Sequence, residues 1–382
     1  MIPTRWVVLT AGTFAQATYS AIWFGVAVMA PPLRDELHLS LGQTGLLISA
    51  SLAGSVVSLI PWGLATDQIG ERWVLLAGVG GCGLALLGAS LTSTFEALLL
   101  LLMLAGFLGA SVQSASGRAV MAWFPGSQRG LALGIRQTAI PISGFAASLA
   151  LPPIVHAGGT GWGFAAMGLA CVAAAVVGAL VLRDIPLPDG ADAADVAPLR
   201  DRRLWRLSIG SALVLAPQMC VVGFTVLLLH DHRGLSPGHA AAVLAVVQLL
   251  GIVARIGAGR WSDVAGSRLR PLRLIALAVA VFVTASAALL SAPLVVFIPA
   301  LVVAGVLSMS WNGLSFAAAV EVAGHRRSGA AIGLQQSLLN GSGAIYPGLF
   351  GVLVGATSWW CGFVACAGLT LAGWRVLLAL PE

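Results

Sequence analysis

Charge is scarce in this chain and lysine is absent: 9% of its 382 residues are charged, and all twenty basic residues are arginines. With 58% hydrophobic residues and a mean hydropathy of +0.96, it has too little polar surface for a soluble globular protein of this length. Apolar stretches long enough for a bilayer-spanning helix, eighteen residues or more, cover most of the sequence, and the ten-residue alternation of a membrane barrel is missing. The expected class is an all-α membrane protein. The five cysteines (Cys82, Cys171, Cys220, Cys361, Cys366) lack metal-ligand spacing and read as buried free thiols. Nucleotide loops, metal clusters and nucleophile–base sets are also lacking, which argues against an ATP-driven pump or an enzyme and leaves no cofactor to expect. The first apolar run, 6–30, is too long for a signal-peptide core and is expected to remain as the first helix.

Breaks at polar, glycine and proline positions predict twelve spans: 6–30, 42–64, 73–93, 97–123, 129–155, 161–182, 204–229, 237–260, 271–291, 294–319, 328–355 and 357–378. The stretch RDIPLPDGADAADVAPLRDRR, 183–203, mixes prolines, small residues and charges without an apolar face and reads as a linker. It separates a six-helix bundle at 1–182 from another at 204–382. Arginines concentrate on one side: Arg5, Arg72, Arg129, the linker group, Arg260, Arg268, Arg270, Arg273, Arg326 and Arg327, against Arg34 and Arg233 opposite. The positive-inside rule then places both termini and the linker in the cytoplasm, for a multi-pass protein of the cell (inner) membrane. The net charge of +6 thus reports topology, and no nucleic-acid partner is expected. The lipid bilayer is the expected surrounding and a monomer the expected functional unit.

The halves repeat. RGLALGIRQTAIPISG at 129–144 matches GAAIGLQQSLLNGSG from Gly329, pairing Gly130 with Gly329, Gln137 with Gln336 and Arg136 with Gln335 at a spacing of 199. GLATDQIGER at 63–72 matches GRWSDVAGSR at 259–268, pairing Asp67 with Asp263 and Arg72 with Arg268. Parallel six-helix repeats joined by a cytoplasmic linker are one way transporters are built. The G-x-x-x-D-x-x-G-x-R signature, its second copy and the 6+6 layout resemble the major facilitator superfamily over essentially the whole chain. That resemblance implies rocker-switch alternating access, with substrate bound near the membrane midplane between the bundles. The first copy departs from the family pattern at Gln68 and Glu71. Asp67, Arg72, Arg118 and Asp263 read as a latch of charge pairs, Asp67 facing Arg72 or Arg118 and Asp263 facing Arg260 or Arg268; static loop-stabilising pairs are the competing reading.

Two arginines lie deep: at 1.5 Å per residue, Arg136 is about 10 Å inside from Arg129, and Arg255 about 12 Å from Asp263. Intramembrane charge costs at least a few kcal/mol unless it meets water or a partner, which marks functional sites. All fourteen acids fall at span ends, in loops or in the linker, so no carboxylate neutralises these guanidiniums at depth. A cavity with fixed guanidinium charge favours an anion, and arginine's planar fork suits carboxylate, sulfonate or phosphate. For Arg255 the competing reading is snorkelling to the interface. Its place in R-I-G-A-G-R-W-S-D is similar to the substrate arginine of monocarboxylate and oxalate transporters in the superfamily.

Helical spacing adds polar stripes. Gln16, Tyr19, Ser20 and Trp23 lie at i, i+3, i+4 and i+7, and Ser308, Trp311, Asn312 and Ser315 repeat that spacing. Gln336 and Asn340 form a shorter stripe, Gln137 is the repeat mate of Gln336, and Gln218 and Gln248 add amides. Helix–helix glue is the competing reading for the serines. The expected function is transport of a small organic anion, secondary active or facilitative. Proton symport, uniport and exchange all stay open, and the alternative is an exporter of drugs or other amphipathic compounds.

Overall fold

The computed structural model describes residues 4–124, 132, 135–182, 201–323 and 328–381. Among these every regular element is helical. The chain divides into two compact units, Met1–Ala191 and Asp192–Glu382, and most of the expected linker, 183–200, lies outside the described residues.

The first unit comprises α1 (Thr4–Val28), the short α2 (Ala30–Leu37), α3 (Leu41–Ile69), α4 (Glu71–Ala89), α5 (Phe95–Gly109), α6 (Ser111–Trp123) and α7 (Ala139–Val181). A capping box starts α3: Gln43 N donates to Ser40 Oγ at 3.2 Å and Ser40 N to Gln43 Oε1 at 2.9 Å. At 43 residues, α7 would be about 65 Å long if straight, twice the hydrocarbon core, so it must hold two spans. Gly158 (φ −145°) and Gly159 (φ +77°) make the break, the latter in a left-handed conformation that glycine alone adopts without strain. Glu36 of α2 then accepts from Thr160 N at 3.3 Å and from Thr160 Oγ1, capping the second half. Helices α3 and α5 touch backbone to backbone: a Cβ on Gly54 would fall 1.9 Å from Met103 O, and one on Gly106 1.9 Å from Ser51 O.

In the second unit, α8 (Arg202–Val214) starts two residues before the predicted 204, because the Asp201 carboxylate caps it by accepting from Arg203 N at 2.8 Å. The same span continues past Pro217 through two π-helical turns, Gln218–Val222 and Leu228–His232. The unit then runs through α9 (Pro237–Ala265), α10 (Leu269–Ala288), α11 (Leu294–Ser310), α12 (Asn312–Ala323), α13 (Ser328–Ala356) and α14 (Trp359–Leu378). The predicted spans four and ten are each interrupted, at Ala110 between α5 and α6 and at Trp311 between α11 and α12.

Ten helical runs among the described residues are long and apolar enough to cross a membrane, and the one at Ile135–Val181 contains two spans. Helix α1 is not among the ten; its stripe of Gln16, Tyr19 and Ser20 lowers its apolarity. The fold is thus twelve transmembrane helices in two six-helix bundles.

Candidate functional site

In the first unit the deep arginine sits inside a neutral cage. Arg136 stands on the helical stretch 135–137 just ahead of α7 and is 7% exposed. Its Nε donates to Ser116 Oγ of α6 at 2.7 Å, and its Nη2 to Gln113 Oε1 at 2.9 Å, the Gln113 carbonyl at 3.3 Å and Gln16 Oε1 of α1 at 3.3 Å. Gln16 Nε2 passes the network on to Ser20 Oγ at 3.3 Å. Every one of these acceptors is uncharged. Four acceptors thus occupy the Nε and Nη2 edge, and Nη1 has no protein partner among the described residues. The cage satisfies the guanidinium's donors while leaving its positive charge uncancelled.

Tyr19, fully buried, instead packs into the bundle. Its hydroxyl donates to Gly106 O at 3.4 Å, and its ring fills the space a Cβ on Gly109 would need, 2.3 Å away. Trp23 meets it edge-on, ring centroids 5.8 Å apart. The side-chain amide oxygen of Gln137, Oε1, is buried without a hydrogen-bond partner among the described residues.

The second unit holds the uncharged version of the same node. Gln335, the repeat mate of Arg136, donates to Ser315 Oγ, which lies 2.5 Å from Ser211 Oγ of α8. Ser315 lies 199 residues after Ser116, and Asn312 lies 199 residues after Gln113, the spacing that relates Arg136 to Gln335. The scaffold therefore repeats down to individual hydrogen-bond partners, and only the first copy carries charge. Asn312 Nδ2 donates to Gln218 Oε1 at 3.3 Å, at the start of the π-turn after Pro217. Gln336 donates to Asn340 Oδ1 at 2.7 Å. Among the described residues, Trp311 Nε1, Asn312 Oδ1, Gln335 Oε1 and both amide atoms of the fully buried Gln248 have no hydrogen-bond partner. Buried polar atoms without partners mark places where water or ligand completes the bonding.

Arg255 has a different setting. Its Nε and Nη2 both donate to the Met309 carbonyl, at 3.2 and 3.1 Å. That carbonyl stands one turn before Asn312 at the interruption of the tenth span, where the ladder resumes with Ser315 N to Trp311 O at 3.2 Å. In the first unit Trp62 of α3 does the equivalent with a neutral donor, Nε1 to Phe107 O at 2.7 Å, just before the interruption at Ala110. In both units the second spanning helix thus donates to the broken fourth one.

Of the gating residues, the side chains of Asp67 and Arg118 lie outside the described ones. The Arg72 guanidinium lies over the Trp73 ring at 5.3 Å. Asp263 pairs with Arg268 at 2.5 Å, and Arg268 also reaches Glu321 at 3.0 Å and Ser262 Oγ at 2.5 Å. The Asp263 hydrogen bond, followed by that of Glu321, raises the Arg268 pKa above its ordinary value against the pull of partial burial. Sequence reasoning missed Gln113, Ser116, the Met309 carbonyl and Glu321. The first two were within reach, since the 199-residue spacing carries Gln113 to Asn312, already singled out; a backbone acceptor has no side-chain signal.

The family model of the Major Facilitator Superfamily matches residues 12–347. An uncharacterized MFS-type transporter of Mycobacterium tuberculosis is 34% identical over 98% of this chain and 86% of its own. A probable sulfoacetate transporter of Cupriavidus necator is 25% identical over 87% of this chain and 83% of its own. A tetracenomycin C resistance and export protein of Streptomyces glaucescens is 29% identical over 29% of this chain and 20% of its own. Among solved structures, a bacterial homolog of the human lysosomal transporter Spinster, inward-facing and unoccupied, superposes with a TM-score of 0.79 at 17% identity, covering 99% of this chain and 95% of that one. The matched family model, the relative that runs the length of the chain and the shared fold lead to one conclusion: this protein belongs to the major facilitator superfamily.

Proposed function

We propose that this transporter carries a small organic anion by alternating access. The observation that carries the reading is Arg136, a buried guanidinium whose four acceptors are all neutral and whose Nη1 has no partner among the described residues. A charge held this way attracts an anion and repels organic cations. Arg255, whose hydrogen bonds among the described residues go to a backbone carbonyl, adds a second guanidinium without a carboxylate partner there. The similarity to a sulfoacetate transporter over 87% of the chain supports the same sign of substrate. Export of amphipathic compounds is the second reading; the likeness to the tetracenomycin exporter that favours it covers 29% of the chain.

In this reading the buried Gln137 amide, next to Arg136 in sequence, serves the uncharged part of the substrate; in the second unit Trp311, Asn312 and Gln335 are the candidates for the same task. Asp263 with Arg268, and Asp67 with Arg72 or Arg118, act as conformational latches. The termini face the cytoplasm across the inner membrane, and the monomer is the working unit. The substrate itself, or an exchanged anion, supplies the coupling, since the sequence puts no acid at mid-span depth and the buried Glu71 stands at the first residue of α4.

The test is thermal stabilisation of the purified protein by carboxylates, sulfonates and phosphates against cationic dyes, since a ligand bound by the native state alone raises its midpoint. Anions are expected to stabilise it. Arg136→Gln is expected to weaken that binding by about 30-fold or more, the loss usual when one member of a buried charge contact is removed. Stabilisation by cations alone would overturn the reading.

A further inference from the structure

Arg136 owes its usefulness to a neighbour that is neutral. Gln113 supplies two of the four acceptors, its side-chain oxygen at 2.9 Å and its carbonyl at 3.3 Å from Nη2. The amide oxygen accepts a hydrogen bond as a carboxylate would, but brings no charge. A glutamate differs from glutamine at this position by one atom. Its carboxylate would lie in hydrogen-bond contact with a buried guanidinium, where opposite charges pair strongly because little water screens them.

Resting on the anion reading above, we propose that Gln113 sets the sign of the substrate. It fixes the guanidinium by its Nη2 edge, turns Nη1 toward the ligand, and leaves the positive charge for the ligand to neutralise. The repeat gives the counterpart. In the second unit Asn312 occupies the position of Gln113 and Gln335 that of Arg136, so amides fill both places and neither holds charge. A carboxylate at 113 would act as a built-in substitute for the substrate. Gln113 is thus a specificity-determining residue that works by being uncharged, and what it selects is one anionic group, a carboxylate, sulfonate or planar oxyanion, which cancels the single charge of this cage.

The experiment compares the wild-type protein with Gln113→Glu and Gln113→Met, measuring thermal midpoint against sodium acetate, nitrate and methanesulfonate exchanged for chloride at constant ionic strength. Gln113→Glu is expected to have a raised midpoint without ligand and anion affinity weakened by about 30-fold or more, because its own carboxylate occupies the guanidinium. Gln113→Met keeps the charge uncancelled but loses the acceptor for Nη2, and is expected to weaken anion binding by about 5-fold, the cost of one net hydrogen bond and well short of the Gln113→Glu loss. Full anion binding by Gln113→Glu would overturn the proposal. So would an equal loss in Gln113→Met, which would make the side chain a scaffold only, or a Gln113→Glu protein that does not fold, since pairing predicts stabilisation. If none of the three anions stabilises the wild type, the anion reading itself fails and the proposal with it.

Discussion

At the residue scale the two deep arginines have distinct surroundings although the sequence presents them alike. Arg136 is enclosed by side chains from α1 and α6, whereas Arg255 meets a single backbone carbonyl. The repeat offers a control for separating structure from function. Because Gln335 fills the equivalent node with an amide and keeps its serine partner, an amide at 136 fits the same cage. Arg136→Gln is therefore expected to remain folded while losing anion binding. Arg136→Leu strands the acceptors of Ser116, Gln113 and Gln16, at a cost of about 1–3 kcal/mol for each buried group left unsatisfied. Thermal unfolding of the two variants checks this, and equal midpoints would show that the cage does not depend on the hydrogen bonds. The reverse holds for Tyr19: it fell on the polar stripe predicted from spacing, yet its ring is committed to the contact with Gly109.

At the scale of elements, the interrupted fourth and tenth spans repeat a single device with different chemistry. Next to each interruption a donor from the second span of the unit bonds a carbonyl of the broken helix: Trp62 bonds Phe107 O in the first, Arg255 bonds Met309 O in the second. This gives Arg255 a structural task alongside any contact with substrate. Arg255→Leu is expected to quicken amide hydrogen exchange around the α11–α12 junction, residues 309–315, by about tenfold, corresponding to a net hydrogen-bond loss of about 1–1.5 kcal/mol. Unchanged exchange there would mean that the interruption holds itself. Which carbonyl takes the bond depends on the backbone path around Ser310 and Trp311, so side-chain periodicity could not have shown it.

At the scale of the whole molecule, the twelve spans, their grouping by six and the repeat were legible because bilayer thickness forces long apolar runs and duplication leaves matched spacings. What was not legible follows from packing. The cage of Arg136 draws on residues 16, 113, 116 and 136, brought together only when α1 and α6 pack beside the start of α7. Glu321, near the end of α12, reaches Arg268 on the loop after α9 by the same means. That cluster carries a testable role. Both its acids are more than half exposed, so its ion pairs contribute under about 1 kcal/mol to stability and weaken with salt. Since the Arg268 pKa lies above its unfolded value, the contribution is complete below the unfolded pKa and is lost only as pH rises through the folded one, far above neutrality. Asp263→Asn is therefore expected to leave the thermal midpoint almost unchanged but to slow uptake of an anion found to stabilise the protein. An unaltered transport rate would reduce the cluster to a static loop fastening.

The break at Gly158–Gly159 also bears on how the protein is made. Between Arg136 and Arg183 the sequence has no acidic residue and no arginine, and the turn joining its two spans is two glycines long. An insertion machine meets this stretch as one uncharged hairpin with no hydrophilic segment between the arms to hold at either surface. Its direction across the membrane must come from the arginines at its two feet, Arg129 before and Arg183 after. Both arms are then expected to insert as one unit, bringing Arg136, at the foot of the first, to the cage that α1 and α6 supply.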